Sequence, residues 1–169
     1  MNDYLGQLIQ RYSRQGIIVD TNILLLYFVG NLNRLYIAKH KRTRQYLAED
    51  FDLLTNFLRF FQNRIVTTPN ILTEVSNLLG DSITPEQKRL WNIFVAAIGI
   101  MEEKYLPSQT LCQKPMLSRF GLTDSAIDEL VREKYLVLTD DAMLFQHLEK
   151  NGLDVVNFTH LRAPRLLTS

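Results

Sequence analysis

At 169 residues, with 46% hydrophobic and 22% charged residues, the chain has the composition of one globular domain, not of a disordered or membrane-embedded polypeptide. A formal net charge of +1 gives no global basic field, so affinity for nucleic acid has to come from local patches or from a metal. The single cysteine, Cys112, excludes an internal disulfide and a cysteine-built zinc site, and the three histidines have no ligand-like spacing. The opening MNDYLGQLIQRYSRQ lacks the basic start and apolar stretch of a signal peptide. The longest apolar run, Ile23 to Val29, is too short to span a bilayer. A cytoplasmic protein without a membrane partner is therefore expected.

In chain order, residues 3 to 14 form an amphipathic helix with Leu5, Leu8, Ile9 and Tyr12 on one side. Gly16 to Val19 reads as a short buried strand that ends at Asp20. Residues 43 to 62 carry Leu47, Phe51, Leu54, Leu58 and Phe61 at helical spacing, a stripe suited to the core, with a homodimer or partner surface as the alternative. Ile65 to Thr67 is a second strand, followed by Thr68 as helix cap and Pro69 at the first helical position. The spacing predicts a helix over 85–103 with Trp91, Phe94, Val95 and Ile98 inward, then an irregular stretch from Leu106 to Gly121. Thr123 caps a further helix whose first turn holds Asp124. Leu136 to Leu138 forms a strand before Thr139-Asp140-Asp141, and the next helix runs to about Asn151 and is closed by Gly152. A last strand covers Asp154 to Phe158. Strands alternating with helices indicate a single α/β domain with a mainly parallel sheet.

In such a sheet, strand C-termini and helix N-termini share one edge, where ligands bind. Asp20, Asp124 and Asp141 all belong to that edge by their place in the chain. Glu74 lies at the border of the apolar arc Ile71, Leu72, Val75, Leu78 and Leu79, where it either reaches a crevice or faces solvent. Clustered carboxylates repel unless protons or a cation offset the charge, and an all-oxygen set favours Mg²⁺ or Mn²⁺. Phosphodiester hydrolysis is the natural use of such a site. Asp128, one turn after Asp124, is either a fifth acid or, by a narrow preference, exposed; His147 reads as a surface residue. Lys39, Lys41, Arg42 and Arg44, with His40 among them, form the densest basic run, either a phosphate-tracking patch or a solvated loop; Arg162 and Arg165 are further candidates for that patch. A haloacid-dehalogenase-like phosphatase would need a second acid where Asn22 stands, and a dinucleotide site would need a glycine-rich turn that Asp20-Thr21-Asn22 does not provide.

Four segments in order resemble the PIN-domain family across residues 16 to 158. These are Ile18-Val19-Asp20-Thr21-Asn22-Ile23-Leu24-Leu25, Thr68-Pro69-Asn70-Ile71-Leu72-Thr73-Glu74-Val75, Leu122-Thr123-Asp124-Ser125-Ala126-Ile127 and Val137-Leu138-Thr139-Asp140-Asp141-Ala142-Met143-Leu144. Each is weakly specific alone; the ordered set is more so. The resemblance implies a three-layer α/β/α sandwich with a central, mainly parallel sheet of four to five strands. It also implies Mg²⁺- or Mn²⁺-dependent endoribonucleolytic cleavage of single-stranded RNA, through in-line attack of water at phosphorus. By that likeness Asp20, Glu74, Asp124 and Asp141 are both catalytic and metal-binding, with Asp140 the alternative to Asp141 in a shifted register. Asn22 would orient Asp20, and Thr139 would hold water or ligand at the site. Family members include toxins held by a cognate antitoxin and RNA-processing enzymes, and the alternative is an inactive module that binds RNA or protein. The chain departs from compact members by a longer, helical segment at about 31–63 inside the single 1–169 domain, so a toxin's partner geometry does not transfer directly.

Overall fold

The computed structural model describes residues 3–81, 83–132 and 134–166, with the side chains of residues 3 and 164–166 left out. Helix α1 (Asp3–Tyr12) leads into strand β1 (Ile17–Val19), and α2 (Thr21–Leu32) starts immediately after it. A 3-10 turn (Arg34–Tyr36) and a run of turns precede α3 (Ala48–Arg59), β2 (Ile65–Thr67) and α4 (Pro69–Leu79). Then come α5 (Pro85–Ile98), β3 (Glu102–Glu103), α6 (Ser108–Leu111), α7 (Leu117–Arg132), β4 (Leu136–Thr139), α8 (Ala142–Lys150), β5 (Val155–Asn157) and α9 (Phe158–Leu166).

The five strands form one sheet in the order β3-β2-β1-β4-β5, and every neighbouring pair is parallel. Helices cover it in a three-layer α/β/α sandwich. Ile17, Ile18, Val19, Val66, Leu136, Val137 and Leu138 are buried, as expected of parallel strands covered on both faces. From β1 the chain builds outward through β2 and β3, then returns to add β4 and β5 on the other side. Strand order therefore reverses between β1 and β4, the place where an open parallel sheet leaves a crevice beyond its strand ends. The Asp20 N–H donates to the Leu138 carbonyl (3.0 Å), closing the ladder at that point.

Helix α2 is apolar nearly all round, and Ile23 to Leu26, Phe28 and Val29 are buried. It is a core helix, and no helix among the described residues is long and apolar enough to cross a membrane. The stripe on α3 is spent in the core, since Phe51, Leu54, Leu58 and the following Phe61 are buried. That removes it as a homodimer surface. The expected helix over 43–62 is shorter, because residues 37–47 form turns and Leu47 is an exposed cap position. The segment at 31–63 is accordingly only partly helical.

The predicted helix over 85–103 stops at Ile98, and Glu102–Glu103 pairs with β2 as an edge strand. Two charged residues on a sheet edge discourage further pairing, which also makes them unlike a strand in sequence. Phe94 points inward, whereas Val95 is 63% exposed; Leu90 takes the buried position instead.

Gly30 on α2 lies against the Phe51 ring so closely that an added Cβ would sit 2.2 Å from it. Gly30→Val is expected to lower stability by about 1–3 kcal/mol through overpacking, read as a lower urea midpoint at unchanged slope. An equal or higher midpoint would show that the packing of α2 on α3 is loose.

Candidate metal centre

Asp20 follows β1 with extended backbone and caps α2, accepting the Thr21 N–H at 2.7 Å. Its other oxygen accepts the Thr139 hydroxyl at 2.6 Å, and the residue is only 6% exposed. Thr139 in turn accepts the Asp141 N–H (3.0 Å), so one hydroxyl joins the end of β4 to the acid at the end of β1. Asn22, expected to orient Asp20, is exposed and donates instead to Asp140 (3.5 Å). Asp20 is oriented by Thr139 and by the first N–H of α2. The reason is geometric: residue 22 lies a further 100° around the helix, away from its own cap.

Glu74 sits on α4 one turn beyond Pro69, at the surface. Its carboxylate accepts two hydroxyls, from Thr21 (2.9 Å) and Thr123 (2.5 Å), which turn it towards the sheet edge. Both threonines are buried, so this one acid ties the starts of α2 and of the second half of α7 to α4.

Helix α7 is broken at Gly121, whose φ of 80° and ψ of −176° suit a residue without a side chain. The helix restarts there, and Ser125 closes the break by donating to the Gly121 carbonyl (2.7 Å). Asp124 lands in the first turn after the break. Thr123, expected as a cap, spends its hydroxyl on Glu74. The Asp124 carboxylate is half-buried, and among the described residues no donor reaches it.

Asp141 caps α8, with one carboxylate oxygen accepting both Met143 N–H (2.7 Å) and Leu144 N–H (2.9 Å). Its second oxygen has no such partner among the described residues. Asp140 is half-buried and accepts the hydroxyl of Tyr46 as well as the Asn22 amide.

The charges feel one another. Burial pushes Asp124 up to about 7 from 3.8, with the negative charges of Asp20, Asp141 and Glu74 adding to the rise. Burial likewise pushes Asp20 up to about 6, opposed by its Thr139 and Thr21 hydrogen bonds and helped by Asp140 and Asp141. The fold thus brings Asp20, Glu74, Asp124 and Asp141 into one electrostatic neighbourhood at the sheet's reversal point. Comparison with protein-family models, curated proteins and solved structures yields no match. Among the described residues, no three Asp, Glu, His or Cys side chains form a ready-made cation cage. What the described residues offer is a set of neighbouring carboxylates whose charges reach Asp124, an acid that no protein donor among them satisfies.

The neighbouring candidates divide. Lys39, Lys41, Arg42 and Arg44 are exposed and make no ion pair among the described residues. Ile37, His40, Thr43 and Tyr46, interleaved with them, are buried and anchor the segment. Arg162 is spent internally: it pairs with Asp50 (2.8 Å) and lies over the Tyr46 ring at 5.2 Å. The Arg165 side chain lies outside the described residues. Asp128 is neither exposed nor part of the acidic site; at 3% exposure it is matched by Arg132 (2.8 and 3.1 Å) and His147 (3.1 Å). Sequence reasoning does not reach Tyr46, Thr21 or Thr123 as site residues. Thr21 adjoins Asp20 and Thr123 adjoins Asp124, so a hydroxyl beside each acid is the available signal; Tyr46 has none.

Both raised carboxyls keep protons in the folded protein that the unfolded chain loses above its ordinary range. In the metal-free protein these two groups therefore contribute stability that is fully present below about pH 4 and is lost as pH rises towards about 7. Thermal melts across that window should show the decline. Asp124→Asn should flatten it, raising stability near neutral pH by on the order of 1 kcal/mol once solvent screening is allowed for. A profile that rises with pH would contradict the clustering of charge.

Proposed function

We propose that the chain is a Mg²⁺- or Mn²⁺-dependent endoribonuclease that hydrolyses single-stranded RNA, in the manner the PIN-domain resemblance implies. The observation carrying the reading is Asp124: a half-buried carboxylate without a donor, raised to about 7 by burial and by three other acids at the sheet's reversal point. A protein that only needed structure there would neutralise it with a basic side chain, as this one does for Asp128. These carboxylates would hold a divalent cation, which when bound would supply positive charge for the phosphate and lower the pKa of water.

The protein's own part is positioning. Thr139 and the Thr21 N–H hold Asp20 in one orientation, leaving Asp124 to complete the donor set. Thr21 and Thr123 keep Glu74 turned towards the site, and Asp141 keeps one oxygen on its helix and has the other to offer. Tyr46 and Asn22 restrain Asp140 beside them, so its charge adds to the field without its carboxylate swinging freely. Lys39, Lys41, Arg42 and Arg44 lie on the segment that delivers Tyr46 and offer unpaired charge to RNA phosphates.

One observation favours a second reading, an RNA-binding module that does not cut: no finished cation cage exists among the described residues. Incubation with mixed single-stranded RNA and Mn²⁺ separates the two. Cleavage is expected, abolished by Asp20→Asn and lowered about 10- to 100-fold by Thr139→Val, which removes only the orienting hydroxyl. RNA that is retained intact by the wild-type protein would establish the binding module.

A further inference from the structure

One pocket shares side chains with the acidic centre. Its volume is about 380 Å³, within the range of small-ligand sites. Helix α4 bounds it with Asn70 and Glu74, the restart of α7 with Leu122 and Thr123, and the segment after β3 with Tyr105 and Leu106. The Thr123 hydroxyl donates to Glu74, so the walls from α4 and α7 join at a hydrogen bond that belongs to the centre itself. Asp124 is the next residue along α7.

The sheet explains how Tyr105 comes to stand there. Beyond Glu103 the Lys104 N–H donates to the Thr67 carbonyl at 2.8 Å, extending the pairing of β3 with β2 by one bond. That bond carries the chain to the edge of the sheet where β2 gives way to α4. Leu106 then packs against the core, while its neighbour Tyr105 is left 77% exposed. No ring, cation or hydrogen-bond partner lies on the Tyr105 side chain among the described residues. Its ring is a free stacking surface.

The polar groups of the pocket point to the same occupant. The Asn70 amide is half-buried and has no hydrogen-bond partner among the described residues. Among those residues Glu74 is the only charged one lining the pocket, and Thr21 and Thr123 already hold its carboxylate. A lining without a cation does not suit a phosphate. An open aromatic ring, apolar Leu106 and Leu122 and an unspent amide suit an uncharged heteroaromatic ring. Unpaired RNA is recognised in this way, with splayed bases stacked on aromatic side chains and hydrogen-bonded at their edges.

We propose that this pocket takes a nucleobase next to the scissile phosphate, stacked on Tyr105 and facing the Asn70 amide. The proposal rests on the nuclease reading, which puts that phosphate at the acidic centre and so brings a neighbouring base to the Glu74 side.

The test is binding by the Asp20→Asn protein in Mg²⁺, measured by fluorescence anisotropy at several salt concentrations. Two labelled probes are used, a short oligouridylate and the abasic ribose-phosphate chain of the same length. Tyr105→Ala should weaken oligouridylate binding about 5- to 100-fold, the loss of one stacked base. The slope of log affinity against log salt should stay the same, because no phosphate contact goes with the ring. Affinity for the abasic chain should be equal with and without the ring, and Tyr105→Phe should keep the parent's affinity for oligouridylate. An unchanged oligouridylate affinity in the alanine variant overturns the proposal. So does an equal loss on the abasic chain, which would make the effect structural. A phenylalanine variant as weak as the alanine one, or a parent that does not bind the oligonucleotide, overturns it too. Failure of the nuclease reading looks different: the Tyr105-dependent binding is present, yet the wild-type protein leaves RNA uncut in Mn²⁺.

Discussion

A carboxylate held at the buried end of a parallel strand is the constraint on which the rest of the molecule depends. Asp20 is almost inaccessible to water, and an isolated buried charge of this kind is strongly unfavourable unless hydrogen bonds or an opposite charge compensate it. Two hydrogen bonds do part of that work, one from the first N–H of α2 and one from the Thr139 hydroxyl at the end of the neighbouring strand. The first is a local helix cap; the second reaches Asp20 because β1 and β4 pair in parallel with Val19 beside Leu138. The register of the sheet and the orientation of the acid are the same fact.

Around that residue the fold concentrates negative charge and then answers it only partly. Hydroxyls from Thr21 and Thr123 hold Glu74, helix N–H groups hold one oxygen of Asp141, and Tyr46 holds Asp140. None of these donors carries a formal positive charge. Elsewhere the chain handles buried acid differently: Asp128 has Arg132 and His147, and Asp50 has Arg162. The contrast between neutral donors at the sheet edge and cationic partners away from it is what supports the proposed site over structural ion pairing.

The strand-to-helix junctions are legible in the sequence because their signals are local. Short β-branched runs end at Asp20, at Thr68-Pro69 and at Thr139, and Gly152, with a φ of 70°, follows α8 as the left-handed residue expected there. Position along the chain is enough to place Asp20, Asp124 and Asp141 near one edge. What those carboxylates bond to is not legible, because it depends on contacts between distant segments. Tyr46 reaches Asp140 across 94 residues, and Asn22 turns away from the acid beside it in sequence. Strand β3 is hidden for a related reason: two glutamates following a helical pattern become a strand only because β2 offers an open edge. Asp128 escapes a sequence reading because helical spacing says which face a residue shares but not whether an arginine one turn on will cover it.

The most direct test of the account is anomalous diffraction from crystals soaked in Mn²⁺. A single strong peak within coordination distance of Asp20 and Asp124 is the predicted result, since these two acids carry the charge that protein donors leave uncompensated. Crystals that take up no ion between them, with both carboxylates diverging into separate solvent, would contradict it.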